Sequence, residues 1–468
     1  MQSNPLHNRL EIPSKLMRSR IREWTLALLK LAAILAALFL APPTQNAWGQ
    51  TPDSTRQLIL EKIEIVGNTK TKPDIILQQL TVRRGDVITP EVIAENARRL
   101  DHTNFFKDVE FYTRPGSETG KIVLVVEVKE RRWPYYQFEG GFSDLNGWFF
   151  VPASLRFDNF SGDGELIGLR WVLGDHVSKL ALGYRRTIDA VSLDIELFGG
   201  NQQFVHYFGA DRREQDVGFG GARFELRGRR GRLKNFFYSY RIGSYNPEDL
   251  VTLTETDSTV NLLPPELAKD LDKTTIGAIA VGITTDSRDN PVFPLNGFWG
   301  ALIAEIANKQ FGSDRGFGKI TIDARFYKQV LHHQVLALHL KGGYAGANTP
   351  FYERFYLGGA NSLRGYDDRR LTPLGWGTKH FLASAEFRFP LSDKNFPNHK
   401  SSGALFFDAG GIWAPGQDPK LDDLFAAAGF GFRVKLPVLG TTRFDFSFPL
   451  NNVDNSDFKF TVSLGQTF

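Results

Sequence analysis

From Trp133 to Phe468 the chain alternates with a period of two between aliphatic or aromatic residues and charged, hydroxyl or glycine residues. In the last segment Phe458, Phe460, Val462, Leu464 and Phe468 fall on one face, and Lys459, Thr461, Ser463, Gly465 and Thr467 on the other. In "FLASAEFRF", Phe381, Ala383, Ala385, Phe387 and Phe389 oppose Ser384, Glu386 and Arg388. Period-two alternation predicts strands with one apolar and one polar face. About sixteen such segments can be counted, an even number as single-chain bacterial barrels require. A soluble sandwich would bury its apolar faces against a second sheet. Here those faces are rich in phenylalanine, 39 in the chain, and lipid is the better covering. The expected fold is mainly β: a 16-stranded antiparallel transmembrane β-barrel over 132–468.

Residues 58–131 have a different texture. "LEKIEIVGN" alternates as a strand and stops at Gly67. Pro73 opens one helical pattern, and Thr89 with Pro90 opens another as cap and first residue. Ile75, Ile76 and Leu80 share a face of the first, and Val92, Ile93, Ala97 and Leu100 a face of the second. "FKDVEFYTRP" and "KIVLVVEVKE" follow as a hairpin, which predicts one small α+β unit of order β-α-α-β-β.

Residues 1–49 read as a signal peptide: Arg18, Arg20 and Arg22, then "LLKLAAILAALFLA", then the small-residue pattern ending at Gly49. Cleavage is expected before Gln50, with 50–57 as a linker; Met17 is an alternative start. Of the 56 basic and 52 acidic side chains, the first 49 residues hold six and two, so the remainder carries fifty of each. The sequence pI of about 9.0 thus comes from the leader and argues for no nucleic acid. With no cysteine, neither a disulfide framework nor a thiolate metal site is available.

No Gly-x-Ser-x-Gly, His-Glu-x-x-His or phosphate-loop motif occurs, so no catalytic residue, cofactor or metal site is expected. His332 and His333 are the one tempting pair; as neighbours on a strand they would face opposite sides. Arg227, Arg229, Arg230, Arg232 and Lys234 cluster at an expected periplasmic turn, where lipid headgroups or solvent would meet them.

The unexplained feature is "LGGANSLRGYDDRR", Leu357 to Arg370, in an expected outer loop, 346–378. Parity turns Glu386 inward from the segment 379–390. In "GALFFDAGGIW" it turns Leu405, Phe407 and Ala409 outward and Asp408 inward. Two carboxylates on adjacent strands therefore face the lumen near a loop that carries Arg364. Either Arg364 is a solvated loop side chain, or the loop folds inward and its planar guanidinium bridges both acids. Gly358, Gly359 and Gly365 would permit the tight backbone that the second reading needs.

"GGANSLRGY", with "TTDSRDNPVFPLNG", "FFDAGGIW", "GFGFRVKLPVLGTTRFDFSFPL" and the terminal "FKFTVSLGQTF", closely resembles the BamA/TamA family of outer-membrane assembly and translocation proteins. There, polypeptide-transport-associated (POTRA) domains precede a 16-stranded barrel. The small unit with its "VEVKER" exit is similar to one POTRA domain. The resemblance implies that Leu363, Arg364, Gly365 and Tyr366 form an inward-folded tip received by Glu386 and Asp408. It implies an outer-membrane location with the POTRA unit in the periplasm. It also implies unfolded outer-membrane protein clients, outer-membrane lipids and periplasmic chaperones or accessory lipoproteins as partners. A lateral seam would lie between the first strand, with Gly140 and Gly141, and the last, with Phe460 and Phe468. The expected function is assembly, insertion or translocation. The alternatives are a two-partner-type secretion transporter that passes a dedicated protein through the lumen, or a passive porin.

Overall fold

A computed structural model describes residues 58–468, except 102, 132–134, 137–138, 144–146, 189–190, 229–234, 249–264, 291–292, 392–400, 437–439, 452, 454–456 and 465–467. The expected leader and linker, 1–57, lie outside the described residues.

The first unit comprises β1 (Leu58–Val66), α1 (Pro73–Gln79), β2 (Val87–Ile88), α2 (Pro90–Asp101), β3 (Phe106–Pro115) and β4 (Lys121–Glu130). Its sheet order is β2-β1-β4-β3, with β1 parallel to β4 and β3 antiparallel to it. Pro73 occupies the first turn of α1, and Val92 N donates to Thr89 Oγ1 at 3.3 Å, so Thr89 caps α2. Ile76, Leu100, Leu124 and Val126 are fully buried between helices and sheet. The two-residue β2 is an addition to the expected order. It is too short to alternate, and it forms only by pairing with Leu58 and Ile59.

The Glu130 carboxylate organises the loop before α1. It accepts from Thr69 Oγ1 at 2.5 Å, from Lys70 N at 3.0 Å and from Thr71 N at 2.6 Å. That loop docks on the turn after the first barrel hairpin: Asn159 Nδ2 donates to Thr71 Oγ1 at 2.7 Å, and Lys72 N to Gly162 O at 3.1 Å. Gly162 has φ +98°, and a Cβ there would stand 2.1 Å from Lys70 O. Only glycine allows that approach.

In the barrel, β5 (Tyr135–Tyr136) and β6 (Glu139–Ser143) both pair with β7 (Gly147–Asp158). Next come β8 (Leu166–Gly174), β9 (Val177–Ile188), β10 (Val191–Phe208), β11 (Asp211–Gly228) and β12 (Phe236–Pro247). Then follow β13 (Thr274–Asp286), β14 (Gly297–Ala307), β15 (Phe317–Leu331) and β16 (Gln334–Ala345). The wall ends with β17 (Lys379–Pro390), β18 (Ser401–Trp413), β19 (Phe425–Leu436), β20 (Gly440–Pro449) and β21 (Lys459–Leu464). The order closes with β21 beside β5. Among the described residues, with β5 and β6 counted as one, the ring has sixteen strands.

The faces are inverted relative to a soluble protein. On β20, Arg443, Asp445 and Ser447 are wholly buried, while Phe448 is 43% exposed; on β21, Ser463 is buried and Phe460 is 47% exposed. Polar side chains inside and aromatic ones outside describe a wall whose outer solvent is lipid. Among the described residues no helix is long and apolar enough to cross a membrane; the crossing is made by strands.

Some expectations are corrected. Arg227 belongs to β11 and not to a turn: its Nε and NH2 donate to Glu225, which sits two residues away on the same face. Arg229, Arg230, Arg232 and Lys234 lie outside the described residues. His332 and His333 form the turn between β15 and β16; His333 takes φ +57° and the ring centroids are 3.7 Å apart, so strand alternation does not apply.

Glu130 yields a pH prediction. Partial burial acts to raise its carboxyl, but the hydrogen bonds from Thr69, Thr71 and Lys70 outweigh this and lower it from 4.5 to about 2. Its stabilising contribution is therefore complete above about 4.5 and is lost as pH falls through about 2. Calorimetry of the detergent-solubilised chain should show Glu130→Gln lowering the transition of the small unit at pH 7. The gap from the parent should narrow at pH 3.

Candidate functional site

The loop 346–378 leaves β16, enters the barrel and returns to β17. Leu357 and Leu363 are fully buried and pack with Tyr366, Leu371, Leu382, Ile412 and Ala427. This apolar footing sets the tip inside the wall. The turn itself depends on glycine. Gly358 (φ +106°) would place a Cβ 2.7 Å from Asp367 O, and Gly365 (φ +92°) would place one 3.1 Å from Ala427 Cβ. Gly359 begins the adjoining turn, accepting from Ser362 N at 3.2 Å.

Arg364 is 1% exposed. Its Nε and NH2 donate to the two oxygens of Asp408 at 2.6 and 2.8 Å, and NH1 donates to Glu386 Oε2 at 3.1 Å. Its backbone N also reaches Asp408 Oδ2, at 3.3 Å. The guanidinium carbon lies 3.5 Å from the ring centroid of Phe406. A planar fork is thus held by two carboxylates at its edges and an aromatic ring on its face, a set of contacts a lysine ammonium cannot reproduce. Tyr366 OH donates to Ala426 O at 3.0 Å and fixes the next residue but one.

The cluster is larger than parity at three positions suggested. Glu386 Oε1 accepts from Arg388 Nε at 3.1 Å and from Arg433 NH2 at 3.0 Å. Arg433 NH1 donates to Asp445 Oδ1 at 2.9 Å, and Arg443 Nε lies 2.7 Å from Asp445 Oδ2. Arg443 NH2 returns to the loop, donating at 2.7 Å to both Ala360 O and Asn361 Oδ1. Four arginines and three acids, each 3% exposed or less, form one network. Sequence reasoning omitted Arg433, Arg443 and Asp445. The signal was present in "GFGFRVKL" and "TTRFDFSF", where Phe430, Phe432, Phe444 and Phe446 alternate outward and leave the charged residues inward.

At the expected seam, Gly140 and Gly141 lie on β6 opposite Phe150 and Phe149. Phe460 lies on the outer face of β21, its ring 5.0 Å from that of Phe446. Phe468 departs from the alternation that placed it with Phe460. It is buried with Tyr327, Val335 and Ala337, its oxygen accepts from Arg388 NH2 at 3.1 Å, and the Arg388 guanidinium lies 5.0 Å from its ring centroid. Val335, Ala337 and His339 form the lumen-facing side of β16, so Phe468 is an interior residue. Its attachment to a charged inward partner overrides the period-two register.

The sequence matches the Omp85 superfamily domain over residues 159–468, and a POTRA unit described as a surface antigen variable number repeat over 59–131. It is 24% identical over 433 residues to the outer membrane protein assembly factor BamA of Nitratidesulfovibrio vulgaris, covering 88% of this chain and 52% of that one. The solved structure of BamA from Haemophilus ducreyi lacking POTRA domains 1-3 aligns with a TM-score of 0.65 at 19% identity, over 88% of this chain and 85% of that one. CdiB from Acinetobacter baumannii aligns with a TM-score of 0.52 at 15% identity, over 88% and 74%. These likenesses are likenesses of fold. The chain spans about half the length of the curated relatives it matches.

Removing one partner of a buried ion pair leaves a charge without compensation, at about 3–5 kcal/mol. Arg364→Ala should therefore lower the temperature at which the folded barrel loses its fast mobility on semi-native gels. Arg364→Lys should fall between parent and Ala, because an ammonium keeps the charge but loses the fork.

Proposed function

The chain belongs to the Omp85 superfamily, an outer-membrane barrel with its POTRA unit on the periplasmic side, and we propose that it assembles or inserts other barrel proteins into that membrane. The observation that carries this reading is that the loop of Arg364 crosses the lumen, which leaves the wall as the route by which a client enters the membrane. In this reading the wall parts at the seam where the order closes, between β21 and β5. Parted edges in lipid leave N–H and C=O groups without partners. A client strand that pairs with them removes that cost, which makes the seam selective for unfolded β-chains.

The POTRA unit supplies the first contact. β3 is an edge of its sheet, and an extended client can add to it main chain to main chain with loose sequence demands. In this reading Arg364, Glu386 and Asp408 are a lumen pin, and Leu363, Gly365 and Tyr366 with Gly358 and Gly359 shape the loop that it holds. Clients and outer-membrane lipids are the partners, with periplasmic chaperones or accessory lipoproteins upstream. We assign the protein no catalysis. Secretion of a dedicated partner through the lumen shares the architecture of barrel and POTRA unit, but it requires the pinned loop to leave.

Depletion of the protein followed by quantitative profiling of the outer membrane is the test. Other barrel proteins should fall together, and complementation with Arg364→Ala should restore them less well than the parent does. Unchanged levels of every other barrel protein would sink the assembly reading.

A further inference from the structure

The loop that Arg364 pins on one wall is also fastened on the other. The β9–β10 ladder ends at Val177 and Gln202, and the β11–β12 ladder begins at Val217. Beyond two flanking bonds, from Gln203 N to His176 O and from Glu248 N to Asp216 O, both at 2.8 Å, residues 203–208 and 211–216 continue the ladder with each other and rise past their described neighbours as a tongue. Such a tongue exposes one edge of β10, and unpaired edge carbonyls seek donors. The returning half of the loop supplies them. Arg369 NH1 donates to Gln203 O at 3.2 Å, Trp376 Nε1 to Val205 O at 3.2 Å, and Arg370 NH1 to Gly209 O at 2.9 Å. Tyr207 OH donates in the reverse sense to Asp368 O at 3.1 Å. Successive odd-numbered positions along the edge are each met by the loop.

Two of these loop residues are built for the purpose. Arg369 and Trp376 are 0% and 2% exposed. Their φ values are +58° and +64°, a region bulky side chains seldom enter and hold only when their surroundings fix them. The Arg369 guanidinium carbon lies 5.3 Å from the Trp376 ring centroid, and that ring is 4.9 Å from Phe204 on the tongue. In the ring of sixteen, β10 is the fifth strand and β18, which carries Asp408, is the thirteenth. Half the circumference separates them, so the loop spans the barrel from wall to wall.

We propose that Arg369 and Trp376 form a second anchor that holds the loop and tongue together as a lid over the lumen. They are positioning residues that keep the lumen shut while the wall is open elsewhere. The inference goes beyond the assembly reading, since a closed lumen can be measured without any client.

The test is conductance of the purified full-length protein in planar bilayers, with Trp376→Phe, which keeps the ring and loses the N–H donor, and Arg369→Ala. Each should raise the occupancy of large-conductance openings by about tenfold, the shift expected when a buried hydrogen bond is lost. Both should keep the fast gel mobility of a folded barrel. Hydrogen exchange on the parent gives a second readout independent of the variants: peptides covering 203–216 and 366–378 should be protected to the same degree, as one unit. Folded variants with the parent's conductance would overturn the proposal. So would a tongue that exchanges freely while the loop stays protected. Client levels in cells bear on the assembly reading alone, so the two can fail separately.

Discussion

A guanidinium buried away from solvent must be neutralised by neighbours, because an uncompensated buried charge costs several kcal/mol. Arg364 meets that condition through Asp408, Glu386 and the face of Phe406. Its compensators lie on β17 and β18, and Glu386 is shared with Arg388 and Arg433. The loop is thereby joined to four successive strands, β17 to β20. A replacement of the whole cluster by apolar side chains could be as stable, as buried ion networks often are. What the charges add is a single allowed position for the loop.

That position organises the function proposed above. On the inner face of β17 to β20 stands the ion network. On the outer face of β19 to β21 stands a run of phenylalanines, with Phe430 stacked on Phe446 at 5.0 Å and Phe460 tilted against Phe446 at the same distance. Both faces hold this side of the wall together up to the seam. The other side of the seam is the first barrel strand, of which β5 and β6 are the described parts, next to β7. The POTRA unit docks at the end of β7 through Thr71, Lys72, Asn159 and Gly162. In the proposed function, a client held by the POTRA unit stands beside the end of β7.

Much of this was legible in the sequence because a barrel wall obeys one rule. Period-two alternation turned Glu386 and Asp408 inward and Leu405 and Phe460 outward, and it identified the strands themselves. The rule fails where tertiary contacts replace it. Phe468 follows a charged partner into the lumen, and His333 turns the chain with a positive φ. The two-residue β2 has no pattern of its own. The pairing of Arg364 with two particular acids needed both parity and family resemblance. The far anchor was not legible at all, since Arg369 and Trp376 bind backbone carbonyls, which leave no mark on the sequence at Gln203 or Val205.

Whether Arg364 and its carboxylates act as one unit is tested by a double-mutant cycle. Arg364→Ala, Asp408→Ala and the double variant would be compared by the temperature at which each folded barrel loses its fast gel mobility. The double variant should lose no more than the worse single variant, because either substitution breaks the same unit and the second removes the stranded charge. Additive losses would contradict this, and would reduce the pin to two unrelated buried side chains.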